Sequence, residues 1–172
     1  MSELYGNSQL TGKEKFFQDI IVSKTDLEGK ITYANRVFMD IAGIADEKEC
    51  LGQPHNLIRH PDMPRAGFYL LWQTLQSDKE IFAYVINRSL NGDHYWVLAH
   101  VTPSHDMNHN IIGYHSNRRV PNRMVVNEKI IPLYKDLLSI EKSCSSPKAG
   151  MEKSFQTVVD LLADAKLGYN EF

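Results

Sequence analysis

Three prolines, two histidines, an arginine and an aspartate crowd into one short stretch, Gln53–Pro64 (QPHNLIRHPDMP). Proline restricts the residue before it. Pro61 and Pro64 therefore keep His60 and Met63 out of helical geometry, and hold Arg59, His60 and Asp62 in place just ahead of a helix. A guanidinium presents paired donors to a phosphate, and a helix start adds unpaired N–H groups. Such a stretch suits the diphosphate of a dinucleotide. Trp72, Tyr95 and Trp96 offer the flat apolar surfaces that a ring system needs.

Those groups need a scaffold, and the flanking residues supply one. After Pro64, Phe68, Leu71, Trp72 and Leu75 recur at i, i+3, i+4 and i+7, which is one face of a helix. Ahead of the loop, Ile20–Thr25 and Lys30–Asn35 are β-prone runs around the turn Glu28-Gly29, and Arg36–Ala45 carries helical signals. Beyond the helix, Ile81–Leu90 and Asp93–Thr102 alternate around Asn91-Gly92, which reads as a two-residue hairpin turn. That turn predicts Asn87 opposite Trp96 and Val85 opposite Leu98, with all four on one face. A last strand runs from Ile111 to Arg118. The expected fold class is α+β, a five-stranded antiparallel sheet with helices on one face.

Both ends are predicted to add helix. Gly12–Asp19, with Phe16, Phe17 and Ile20 along an apolar edge, reads as a short helix, so residues 1–19 form a cap before a main domain over 20–119. Ile130, Leu133, Tyr134, Leu137 and Leu138 make one apolar stripe, and Pro132 restricts where that helix begins. After a break at Ser143–Gly150, a stripe from Met151 to Ala165 makes a second helix ending near Gly168. Residues 120–172 are thus a helical extension whose stripes must be covered by the core, a second copy or a partner.

The 172 residues suit one domain with appendages, and a net charge of -2 lacks the basic excess that nucleic acid requires. Cys50 and Cys144 stand alone, so neither a disulfide framework nor a zinc knuckle is indicated, and a reducing cytoplasm is expected. No apolar stretch approaches a bilayer-spanning length. His105, His109 and His115 straddle a polar turn without the compact spacing of a metal site.

The chain resembles the flavin-binding PAS domain of bacterial aerotaxis and energy-taxis receptors. The resemblance rests on GQPHNLIRHPDMP at Gly52–Pro64, FYLLWQTL at Phe68–Leu75 and NGDHYWV at Asn91–Val97, and it runs from about Ile20 to Leu138, including the run PLY at Pro132–Tyr134. It implies a PAS fold and FAD bound without a covalent link. It also implies flavin contacts at Asn35, Arg59, His60, Asp62, Trp72 and Asn87. Trp96 and His115 join these as candidates, His115 because the last strand could turn it to the ligand or to solvent. Two departures stand out: Phe82 where relatives often carry tryptophan, and INRSLNGD at Ile86–Asp93 where they carry a basic run. The resemblance further implies a cytoplasmic redox sensor working through a separate membrane-bound methyl-accepting chemotaxis transducer, with a homodimer as an option.

Spacing alone supports plainer roles. Trp72 lies in a core stripe, Asn35 suits a turn or cap, Arg59 a surface ion pair, Asp62 a helix cap, and Arg118, Arg119 and Arg123 a solvated edge. A thiol-adduct light sensor would need a cysteine in the loop, where His55 stands instead. A haem sensor would use a histidine such as His60 as axial ligand. No nucleophile, base and orienting group form a recognisable catalytic set.

Overall fold

The computed structural model describes residues 9–165; the outer parts of the expected cap and extension, residues 1–8 and 166–172 with the helix end near Gly168, lie outside the described residues. Five strands form one antiparallel sheet in the order β2-β1-β5-β4-β3: β1 Ile21–Thr25, β2 Ile31–Ala34, β3 Ile81–Arg88, β4 His94–His105 and β5 Ile111–Arg119. Helices α1 (Arg36–Ala42) and α2 (Arg65–Gln76) and the short 3₁₀ turn His55–Ile58 lie between β2 and β3.

Period-two alternation sorts the strands into two faces. Ile21 and Ser23 of β1, Ala83, Val85 and Asn87 of β3, Tyr95, Val97 and Ala99 of β4, and Tyr114 and Arg118 of β5 are buried on the side that packs α1 and the loop. Phe38, Ile58 and Leu75 close that core from the helices, and each such burial contributes roughly 1.5–3 kcal/mol. Opposite lie Tyr84, Ile86, Trp96 and Leu98. The chain after β5 crosses this second face: Tyr134 lies beside Trp96, with ring centroids 6.0 Å apart, and its hydroxyl donates to the Tyr84 carbonyl.

That extension enters through a helical turn at Arg123–Val125 and a π-turn over Val126–Ile130, then runs on as α3 (Ile131–Ser143) and α4 (Pro147–Ala165). Pro132 has no N–H to give to the carbonyl one turn back, and the ladder widens just before it.

The β3–β4 turn corrects the predicted register. Gly92 N–H donates to Ser89 O at 2.9 Å and Ser89 N–H to Asp93 O at 2.8 Å, so Gly92, at φ +94°, is a bulge residue and the loop is longer than two residues. The pairs are Asn87 with Tyr95, Val85 with Val97 and Ile86 with Trp96. One residue of slip exchanges faces, so Trp96 and Leu98 leave the side that holds Asn87 and Val85.

Gly12–Asp19 is extended rather than helical. Its backbone runs along the hairpin, with Lys15 N–H donating to His94 O at 2.8 Å and His94 N–H to Lys13 O at 2.9 Å. A segment this short gains too little from a single helical turn to outweigh ladder bonds. Phe16, expected on a buried edge, is 75% exposed.

Candidate functional site

The loop of unusual composition is laced to the sheet before it reaches α2. Gly52 N–H donates to Ile31 O, Ile31 N–H to Gln53 O and His55 N–H to Gly29 O, while buried Leu57 and Ile58 anchor the 3₁₀ turn. At its far end Arg59 makes an antiparallel backbone bridge to Asn87 on β3. Between this loop, α2 and the inner sheet face lies a cavity of about 310 Å³. That is the lower end of the range for small-molecule sites.

Its walls are apolar. Phe68, Leu71, Trp72 and Leu75, the stripe predicted on α2, face Val85, Ala99 and Val101 of the sheet. Trp72 meets Tyr114 edge to face, and at the mouth the Arg59 guanidinium lies 4.4 Å above the Phe68 ring. Burial lowers the Arg59 pKa, and so does the neighbouring Arg65 charge, while Glu141 opposes the shift.

The cavity has one polar end, built by Ser23, His55, Ser116 and Arg118. Arg118 is 2% exposed, with its guanidinium stacked over Phe38. Its Nε donates to Ser116 Oγ at 3.1 Å and its Nη2 to Ser23 Oγ, with His55 Nε2 3.3 Å away. Ser23 Oγ lies 3.0 Å from the same Nε2. Arginine cannot accept, so this network assigns Nε2 as the acceptor and places the His55 proton on Nδ1. Burial pushes the His55 pKa down to about 3, assisted by the Arg118 charge, and burial lowers Arg118 to about 10. At neutral pH the imidazole is uncharged and the guanidinium is a cation. Among the described residues, Arg118 Nη1 and the deeper Tyr95 Oη have no hydrogen-bond partner, and burial raises the Tyr95 pKa. Of these two residues, Arg118 lines the cavity and Tyr95 does not.

Of the predicted site residues, the structure brings Arg59, Trp72 and Asn87 to the cavity. Asn35 instead staples β1 to α1, accepting from Phe38 N–H at 2.9 Å and Val22 N–H at 3.1 Å and donating to Ile20 O at 2.9 Å. His60 is buried but turned toward the N-terminal arm: its Nδ1 accepts from Asp62 N–H at 3.0 Å and its ring meets His94 edge-on. Burial lowers its pKa, against the pull of Asp62. Asp62 is exposed and points to His60, not to the cavity. Trp96, through the register correction, and His115, through strand parity, lie on the opposite face; His115 Nε2 sits 3.0 Å from Asn117 Oδ1.

Sequence reasoning missed Ser23, His55 and Arg118. For Arg118 the signal was present: Arg118 and Arg119 are adjacent on a strand and must face opposite ways, so a shared solvated edge for both was excluded. Arg118 is enclosed and Arg119 exposed.

Known proteins give this fold its place. Residues 18–116 match the family model described as the PAS fold. A stretch of 83 residues is 47% identical to the aerotaxis receptor of Escherichia coli (strain K12), taking in 48% of this chain but only 16% of that receptor. Among solved structures, a light-oxygen-voltage domain studied with a flavin analogue superposes at a TM-score of 0.57 with 16% identity, covering 69% of this chain and 88% of that one. The dark structure of the blue-light photoreceptor Aureochrome1 LOV gives 0.55 with 20% identity, covering 67% and 86%. No helix among the described residues is long and apolar enough to cross a membrane. With its five-stranded antiparallel sheet and a family match across more than half of its length, the chain belongs to the PAS fold family.

Proposed function

We propose that this PAS domain holds FAD without a covalent link and reports its redox state, as in energy taxis, to a separate membrane-bound methyl-accepting chemotaxis transducer. One observation carries the reading: Arg118, enclosed and cationic, leaves Nη1 unmatched at the polar end of a slot with apolar walls. A buried donor of this kind is costly unless an acceptor meets it. The pyrimidine edge of an oxidised flavin sets carbonyl acceptors on either side of one N–H donor, so a fixed guanidinium can meet a carbonyl there, and the tricyclic body matches walls made by Trp72, Leu71 and Val101. The likeness to an aerotaxis receptor supports the same kind of pathway.

When bound, a flavin supplies a redox couple whose proton content at the ring edge changes with its electron count. The chain's own groups are suited to that edge. Arg118 keeps a fixed positive charge, and His55 stays neutral, so charge at this end is constant near pH 7. Asn87 carries both a donor and an acceptor on one amide and can present either by turning. Its backbone bridge to Arg59 and its pairing with Tyr95 pass any such turn to the loop and the hairpin.

Other readings fit the slot less well. Haem ligation needs a free imidazole nitrogen facing the cavity, whereas His60 lies outside it and His55 Nε2 is engaged. The Cys50 thiol donates to Glu47 O at 3.2 Å away from the cavity, so a thiol adduct has no cysteine on the lining. Ser23 and His55 resemble a nucleophile and base, but burial, with the Arg118 charge adding to it, holds the imidazole far below useful basicity, and we assign no turnover.

Absorbance and mass of the small molecule released on denaturing the native protein test the cofactor. FAD is expected; protein without a flavin spectrum after mild isolation, and without recovery on adding FAD, overturns the reading. Removal of the residues after Ser143 is expected to weaken transducer capture while flavin stays bound; unchanged capture rejects that docking role.

A further inference from the structure

Helix α2 begins without a cap of its own. Pro64, at the N-cap position, makes no side-chain hydrogen bond, and the first turn contains no acidic residue. A helix start leaves several N–H groups unpaired. The acceptor for two of them comes from far along the chain: Glu141 on α3 accepts from Arg65 N–H through Oε2 and from Ala66 N–H through Oε1, each at 3.1 Å. Ser154 on α4, fully buried, donates to that Oε1 at 2.7 Å. Gly150 allows the two helices to meet there, since a Cβ on it would stand 2.5 Å from Glu141 O.

One carboxylate therefore joins three helices at the start of the helix that walls the cavity. A turn further on, Phe68, Leu71 and Trp72 line that cavity, and Arg59 at its mouth feels the Glu141 charge. The geometry points to Glu141 as a latch that ties docking of the C-terminal extension to the position of α2, so that displacement of α2 by a cavity ligand is answered by release or capture of α3 and α4. This goes beyond the flavin reading, because the latch acts for any ligand that moves α2.

Glu141→Ala and Glu141→Gln versions of the 172-residue chain test it through amide hydrogen exchange at Arg65 and Ala66 and limited proteolysis within Pro147–Ala165. Glu141→Ala is expected to speed both by roughly tenfold, within the range for a lost N-cap, and Glu141→Gln, which keeps one acceptor oxygen, to fall between. Exchange in β4 and β5 stays unchanged if the fold is intact. Adding Pro64→Ser to Glu141→Ala supplies a cap within α2 itself; protection at Ala66 is expected to return while α4 remains cleavable. Return of α4 protection in that double variant overturns the latch, as do unchanged exchange and cleavage in Glu141→Ala. FAD titration gives the reciprocal arm, because linkage requires docking and binding to shift each other by the same factor. Equal affinity in Glu141→Ala and the unmodified chain overturns the coupling. Failure of the unmodified chain to bind FAD defeats the flavin reading alone, and the exchange and proteolysis results then decide the latch.

Discussion

The ring of Trp72 stands edge-on to that of Tyr114, with centroids 5.4 Å apart and planes at 81°, so one aromatic pair joins the middle of α2 to β5 across the cavity. Edge-to-face pairs add about 0.5–1.5 kcal/mol beyond the area they bury. Trp72→Ala is expected to lower stability by about 2–3 kcal/mol, below the value for a fully buried tryptophan because Trp72 is partly exposed, and to weaken FAD binding at least tenfold. Denaturant melts and flavin titration check both; full affinity in Trp72→Ala would remove the ring from the ligand wall.

Arg118 separates ligand binding from folding. Its guanidinium has neutral partners, Ser23, Ser116 and His55, and no carboxylate. Replacing a buried charge by an apolar side chain of similar length is often neutral or favourable. Arg118→Met is therefore expected to melt within a few degrees of the parent in ligand-free form while losing FAD affinity at least tenfold. Retained affinity in that variant would show that the ligand's acceptors lie elsewhere.

Acid sensitivity follows from His55. Its folded-state pKa of about 3 lies below the ordinary 6.5, so between those values the unfolded chain takes up a proton that the folded chain refuses. Stability is therefore lost as pH falls from 6.5 toward 3, at no more than about 1.4 kcal/mol per unit. His60, also depressed chiefly by burial, acts in the same direction. Urea midpoints taken from neutral pH downward should fall, and His55→Asn should flatten the slope; an equally steep fall in that variant assigns the effect to other groups.

Gly92 is expected to tolerate no side chain. Its φ of +94° is unfavourable for L residues, and a Cβ would lie 2.0 Å from Gln9 O on the N-terminal arm. Gly92→Ala should cost more than about 1 kcal/mol and detach the arm, exposing Gln9–Lys15 to protease. An arm as resistant as in the parent would contradict the contact.

Much of this architecture is legible in the residues because periodicity reports burial directly. The stripe Phe68, Leu71, Trp72 and Leu75 is the cavity wall, and the strand pattern gives the five-stranded sheet. The failures have local causes. Asn91-Gly92 has the composition of a two-residue turn, but the preferred positive φ at Gly92 also makes a bulge, and that single residue moved Trp96 to the far face. Gly12–Asp19 has a helical edge pattern, yet its hydrogen-bond partners lie on the hairpin, some eighty positions away in the chain. Asp62 has the type and place of a cap for α2, while the cap comes from Glu141, which no local pattern reveals. The polar end of the cavity is likewise assembled from Ser23, His55 and Arg118, which only the closed sheet brings together.

The hydroxyl of Tyr134 reaches a carbonyl of β3, the outermost strand on its side of the sheet. A bare border strand is a template for a foreign one, and proteins guard such borders with covering elements. Tyr134 thus adds a side-chain contact to a border that the Arg59 bridge at Asn87 already covers in part, and a chain clipped before Tyr134 would leave the stretch around Tyr84 more open to the edge of a second copy.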